Sequence, residues 1–230
     1  MQYVEFSLEE RISTFIYRVF GFMAVALAIT AGTAYYVSTV PSLYTRLLDQ
    51  PMTLFVILLV QILLVVVLSL FITKLPFIVA ALIFLAYAVS LGYTLSVIFL
   101  AYTQTSIFAT FLTTATMFGA MALYGYFTKT DLSTIGNMAT MALFGLIIGM
   151  LVNLWLRSSM FEYVMSAIGV VIFTLLTAYD VQKIKQLGQQ LIAQREAMNK
   201  VAILGALTLY LDFINLFLFL LRFMGQKKEQ

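Results

Sequence analysis

The chain has 230 residues, 63% of them hydrophobic, with a mean hydropathy of +1.02. Only 10% are charged, against about 25% in a soluble domain, so there is too little polar surface to cover a water-soluble globule. The small, scattered net charge of +3 argues against nucleic-acid binding, and the lack of Cys and His removes thiolate and Ser-His chemistry, the usual zinc sites and the ordinary neutral-pH switch. A G-x-x-x-x-G-K-[ST] phosphate loop is also missing, which argues against an ATP-driven pump.

The N-terminus is acidic (Glu5, Glu9, Glu10) where a signal peptide would be basic. It reads as a short amphipathic lead-in, with Ser7 as an N-cap before Glu10. Gaps between charges then locate the membrane segments. A helix needs about 20 apolar residues to cross, so the uncharged run 75–128 must hold two spans, turning at Tyr102-Thr103-Gln104-Thr105-Ser106. Seven spans result, at about 17–39, 52–73, 77–100, 106–127, 134–156, 160–182 and 201–223. The chain is thus expected to be an all-α integral membrane protein, with a single seven-helix domain over 1–230. The connection at about 183–200 carries Lys183, Lys185, Arg195, Glu196 and Lys200, and can continue as helix into water. With seven crossings, Lys and Arg divide eight against five in favour of a cytoplasmic N-terminus; a re-entrant seventh segment would make the division eleven against two. The length of that segment suits a full span.

Apart from Glu162 at the interface end of the sixth span, only two acidic residues fall within the spans, Asp180 near the end of the sixth and Asp212 in the middle of the seventh. A charge at the bilayer centre costs at least about 2.5–3.5 kcal/mol, which points to function. Gly205, Thr208, Asp212 and Asn215 make one polar stripe, and Ser166, Gly169, Thr177 and Asp180 another. Facing each other, the stripes can bring the carboxylates within hydrogen-bonding distance, where the pair shares a proton. That would supply a proton sensor without histidine. Two blander readings stand beside it: Asp180 pairs with Lys183 one turn later, or both stripes are packing seams. Gly145, Gly149 and Asn153, and likewise Ala88, Gly92 and Ser96, read as close-packing seams, with Asn153 also a candidate pathway residue. Gln61 is expected to bond a neighbouring helix, and Thr110, Thr113, Thr114 and Thr116 their own backbone.

The stretch Ile172-Phe173-Thr174-Leu175-Leu176-Thr177-Ala178-Tyr179-Asp180-Val181-Gln182-Lys183-Ile184-Lys185 resembles a signature of the transmembrane Bax inhibitor motif (Bax inhibitor-1) family. So does Ala206-Leu207-Thr208-Leu209-Tyr210-Leu211-Asp212-Phe213-Ile214-Asn215-Leu216-Phe217, as does the region from Phe118-Gly119 through Tyr124-Gly125-Tyr126-Phe127-Thr128-Lys129-Thr130-Asp131-Leu132-Ser133. The resemblance covers nearly the whole chain and fits a compact prokaryotic member in a bacterial inner membrane. It implies seven helices with the last one central and surrounded by the other six. It also implies a pH-sensitive calcium leak latched by the aspartates that match Asp180 and Asp212. Two departures are the long connection between the Asp motifs and the lack of a basic residue in span two that could latch onto the pair.

Calcium prefers oxygen ligands, and Asp180, Asp212, Asn215, Thr177 and Thr208 offer them. No energy-coupling element is visible, so the expected activity is a calcium-permeable leak gated by a proton on the pair, with calcium as transported ion and no cofactor. An aspartyl intramembrane protease would need Gly-x-Gly-Asp, whereas Leu209-Tyr210-Leu211 precedes Asp212; the chain is therefore read as no enzyme. Two alternatives remain: a modulator that binds a membrane partner, such as a membrane-bound protease or a cell-death factor, and a secondary transporter showing counter-flow.

Overall fold

In the computed structural model, residues 2–191 and 194–228 are described, with side chains from residue 9 onward except at 195 and 196. The fold is all helical: α1 (Gln2–Thr39), α2 (Pro41–Asp49), α3 (Pro51–Phe71), α4 (Phe77–Ala101), α5 (Gln104–Phe127), α6 (Ser133–Leu156), α7 (Ser159–Gln190) and α8 (Arg195–Met224). Seven helices, all but α2, are long and apolar enough to cross a membrane.

The breaks between helices have local causes. Pro41 and Pro51 stand in the first turns of α2 and α3, where a missing N–H costs nothing. Thr103 caps α5, its hydroxyl accepting the Ser106 N–H at 3.3 Å, so the 102–106 turn lies where the polar residues place it. Asp131 Oδ1 accepts the Ser133 N–H at 2.9 Å at the entry to α6. Ser133, through its side chain and backbone N–H, holds this exposed carboxyl below its ordinary value of 3.8. A lowered carboxyl contributes stability at neutral pH that disappears as pH falls through the lowered value. Thermal unfolding of Asp131→Ala is therefore expected to fall below wild type at neutral pH and to converge with it below pH 3.8.

Two expectations change. Residue 7 lies inside α1, five residues past its start, so Ser7 cannot be an N-cap; its side chain is outside the described residues. The nine-residue α2 was not foreseen: it carries Arg46 in its last turn and buries Leu47. The 183–200 connection is mostly helix, α7 running to Gln190 and α8 starting at Arg195; the side chains of Arg195 and Glu196 lie outside the described residues. α8 is an unbroken helix of 30 residues, about 45 Å long, so its length suits a crossing rather than a re-entrant loop.

The chain forms two compact units, Met1–Ala101 with Gln186–Tyr210, and Tyr102–Lys185 with Leu211–Gln230. In the first, α1 and α4 meet through small residues. A methyl group at Gly92 would stand 2.6 Å from the Thr30 carbonyl oxygen, so the Ala88-Gly92-Ser96 seam is indeed a close-packing surface. The fully buried Tyr210 lies edge-on to Phe84 and Tyr87, with its hydroxyl 2.6 Å from Thr30 Oγ1. If the tyrosine donates, the Thr30 proton is left for the carbonyl of Ala26 (2.9 Å) or Ala88 (3.0 Å). Gln61 donates to the Ser90 carbonyl at 3.0 Å, the interhelical bond its place in an apolar span requires. At the other end of α1, Phe15 packs on Gly188 and Arg18 donates to Asn199 Oδ1 at 2.7 Å.

In the second unit, α5 and α7 touch backbone to backbone: a methyl group at Gly125 would collide with the Ala178 carbonyl. Gly136 of α6 lies under the Tyr179 ring in the same way, and Gly169 of α7 under Phe219 of α8. Phe213 of α8 is held edge-on by Phe111 and Phe118 of α5, at 5.6 and 5.4 Å. Gly145 differs from the seam reading, since nothing stands within 4 Å of a methyl group placed there.

Candidate functional site

Asp180 on α7 and Asp212 on α8 both lie in the second unit. α7 is locked against α5 where Gly125 meets Ala178, and against α6 where Gly136 lies under Tyr179, the residue before Asp180. α8 is locked against α5 by Phe213, the residue after Asp212. The packing thus fixes both carboxyl-bearing turns, and the two carboxyls are near enough for each to act electrostatically on the other. Asp212 is 5% exposed and Asp180 half-buried.

Two carboxylates are acceptors only, so a hydrogen bond between them requires a proton on one. Asp212 Oδ2 has no hydrogen-bond partner and neither does the buried Thr110 Oγ1 of the same unit. Thr110 thereby departs from Thr113, Thr114 and Thr116, whose hydroxyls donate to their own helix as expected. A buried oxygen without a donor is costly unless a proton or cation is there to meet it.

The other expected residues divide. Thr177, fully buried one turn before Asp180, donates to the Phe173 carbonyl at 2.7 Å. Asn215 donates to the Leu211 carbonyl at 2.8 Å, and Thr208, in the first unit, to the Leu204 carbonyl at 3.1 Å. The two hydroxyl protons and one amide proton of Asn215 are used within their own helices, and the oxygen lone pairs are what these residues can offer a cation. Lys183 is exposed, with its ammonium 5.5 Å from the Tyr179 ring centroid and near enough for its charge to act on Asp180. Asn153 accepts the Ser158 N–H at 3.1 Å and lines a cavity that neither aspartate lines. Among the described residues, no third Asp, Glu, His or Cys joins the pair to make a three-ligand metal group.

Gln182 belongs to the site and was not singled out from the sequence. It is 7% exposed; its Oε1 accepts the Leu132 N–H at 2.9 Å and its Nε2 donates to the Thr130 carbonyl at 2.8 Å. It therefore ties the α5–α6 turn to α7 half a turn beyond Asp180. Lys185 adds a second tie, donating to the Tyr126 carbonyl at 2.7 Å over the Tyr126 ring. A glutamine two residues after an intramembrane aspartate was the available signal. Gln182→Leu is expected to lower stability by about 1–3 kcal/mol, because it strands two backbone groups. Thermal unfolding in detergent, together with faster amide exchange at Leu132, checks it.

A polytopic all-helical membrane protein is the class this architecture defines. The sequence model of the family described as Inhibitor of apoptosis-promoting Bax1 matches residues 12–229. An Escherichia coli inner membrane protein, YbhL, is 47% identical over 219 residues, covering 94% of this chain and 93% of its own length. An uncharacterized protein of Borreliella burgdorferi is 44% identical over 215 residues (94% and 93%), and RP147 of Rickettsia prowazekii 38% over 223 (97% and 94%). The chain belongs to the Bax inhibitor-1 family and is an integral membrane protein.

Proposed function

We propose that the protein is a calcium-permeable leak gated by a proton shared between Asp180 and Asp212. The single observation that carries the reading is the buried Asp212 carboxyl, with the Asp180 carboxyl near enough to act on it and an Oδ2 without a donor. A proton between the carboxyls meets that oxygen and ties α7 to α8; its loss puts two negative charges in a low-dielectric site, which favours either separation or a cation between them. Calcium, a hard cation that takes carboxylate, amide and hydroxyl oxygens, matches what Asp180, Asp212, Asn215 and Thr177 offer. The pair performs no bond chemistry in this reading, and transport runs down the gradient.

The relative named as an inner membrane protein supports the same membrane for this chain, and the Lys and Arg distribution supports a cytoplasmic N-terminus. With seven crossings the C-terminus is periplasmic; a C-terminal tag accessible only from the cytoplasm would refute the seventh crossing. The functional test is calcium flux into proteoliposomes across the neutral and acid range. Flux that varies with pH and loses that variation in Asp180→Asn and Asp212→Asn supports the gate. No flux above protein-free vesicles, with the protein folded, removes the leak and leaves the role of a modulator that binds a membrane partner.

A further inference from the structure

A second feature of the Tyr102–Lys185, Leu211–Gln230 unit is unrelated to the aspartates. The end of α6, the start of α7 and the end of α8 enclose an open cavity of about 720 Å3, whose polar lining is Asn153, Arg157, Ser159, Glu162, Ser166 and Arg222. Arg157 is the one non-glycine residue with positive φ among the described residues (φ 48°, ψ 37°). Glycine or asparagine would hold that turn with less strain; an arginine there places a guanidinium at the cavity. Ser158 caps α7 by accepting the Phe161 N–H at 3.3 Å, which leaves the N–H groups of the first turn, Ser159 among them, at the positive end of a 32-residue helix. Asn153 Oδ1 is occupied by the Ser158 N–H, so its NH2 is the group it can offer. Two cations and several donors thus share the lining of one recess with a single carboxylate, that of Glu162.

The surroundings set the depth. Trp155, the only tryptophan, is 82% exposed, and Tyr163 stacks on Phe223 at 4.7 Å. Such aromatics occupy the headgroup level of a bilayer. Leu154, Leu156 and Met160 beside them are exposed, as surface for acyl chains. The cavity is therefore a charged recess at the depth of phospholipid phosphates, with an apolar flank.

We propose that this recess binds the phosphoethanolamine group of a phospholipid. Arg157, Arg222 and the first turn of α7 take the phosphate, and the Glu162 carboxylate takes the primary ammonium. Two guanidiniums suit phosphate geometry, and the lone carboxylate distinguishes an amino headgroup from a neutral or purely anionic one. Glu162 also gains from the α7 dipole as an acidic first-turn residue, a role that would give no headgroup preference.

Trp155 supplies the readout. The full-length protein is reconstituted in phosphatidylcholine vesicles containing acyl-brominated phosphatidylethanolamine or acyl-brominated phosphatidylglycerol, and bromine quenching of Trp155 is measured against mole fraction. The ethanolamine lipid is expected to quench at a several-fold lower mole fraction. Glu162→Gln should erase most of that difference, a change of about threefold. Arg222→Gln should weaken quenching by both lipids, as should Arg157→Asn, which keeps a residue that tolerates positive φ. Equal quenching by the two lipids in the wild type, or a preference untouched by Glu162→Gln, would overturn the assignment. Soluble phosphoethanolamine that relieves the quenching at the same headgroup concentration would assign the recess to a free phosphate ester and overturn the lipid.

Discussion

Asp212→Asn is expected to flatten the pH dependence of calcium flux while leaving the protein folded. Asparagine keeps the shape of aspartate and brings its own donor, so it can hydrogen-bond Asp180 without a borrowed proton. The contact between α7 and α8 then persists at every pH, and flux measured at about pH 5 and about pH 8 should differ by a factor near one. The wild-type ratio should be about tenfold or more, equivalent to about 1.4 kcal/mol of linkage between the proton and the open state. Asp212→Leu separates gating from structure. It removes the partner of Asp180 altogether and should lower stability by about 1–3 kcal/mol. A flat profile in the leucine variant but a wild-type profile in the asparagine variant would mean that the pair only holds the helices together.

The largest loss of stability is expected from one added methyl group. Gly125→Ala would drive a carbon into the Ala178 carbonyl, a backbone atom that cannot swing aside as a side chain can. Overpacking of this kind costs about 1–3 kcal/mol and here should reach the upper end. Gly119, on the same helix, has nothing within 4 Å of a methyl group, so Gly119→Ala should be neutral or should gain the few tenths to one kcal/mol of a better helix former. Thermal unfolding of the two variants in the same detergent checks the contrast. Because Ala178 stands two residues from Asp180, the surviving fraction of Gly125→Ala should also show an altered pH profile of flux. Equal melting of the two variants would remove the close approach of α5 to α7.

The spans were legible because membrane insertion writes itself in composition: long uncharged runs bounded by Lys, Arg, Asp or Glu have few other meanings. Ser133–Leu156 against the expected 134–156 shows how closely charge gaps mark helix ends, and Phe77–Ala101 against 77–100 shows the same of the polar 102–106 patch. α2 escaped because its nine residues mix Arg46, Thr45 and Leu47 in the gap between two spans, where a turn and an amphipathic helix read alike. The aspartates stood out since, apart from Glu162 at an interface end, nothing else acidic lies in the expected spans, yet their juxtaposition depends on rotations of α7 and α8 that periodicity alone leaves free. Those rotations are set by Gly125, Gly136 and Phe213, whose partners are distant in sequence. Gly145 and Gly92 look the same in a small-xxx-small pattern; only the opposite helix decides that one is open and the other tight. Gln182 was missed because it stands at the end of the expected span 160–182, where a glutamine ordinarily faces water, whereas α7 runs on to Gln190.

The bond between Thr30 and Tyr210 spans 180 residues, and that between Arg18 and Asn199 spans 181. At about 5–20 residues per second of synthesis, α1 therefore waits roughly 9–36 s in the membrane before its partners on α8 have been made. Thr30 is suited to that interval: its hydroxyl reaches the Ala26 carbonyl of its own helix and needs no other group while alone in lipid. Tyr210, made 180 residues later, brings the hydroxyl that completes the set, with either oxygen able to donate. α1 thus has its Thr30 hydroxyl satisfied before α8 exists, and a nascent chain halted before α8 would expose the face meant for it to the quality-control proteases of the membrane.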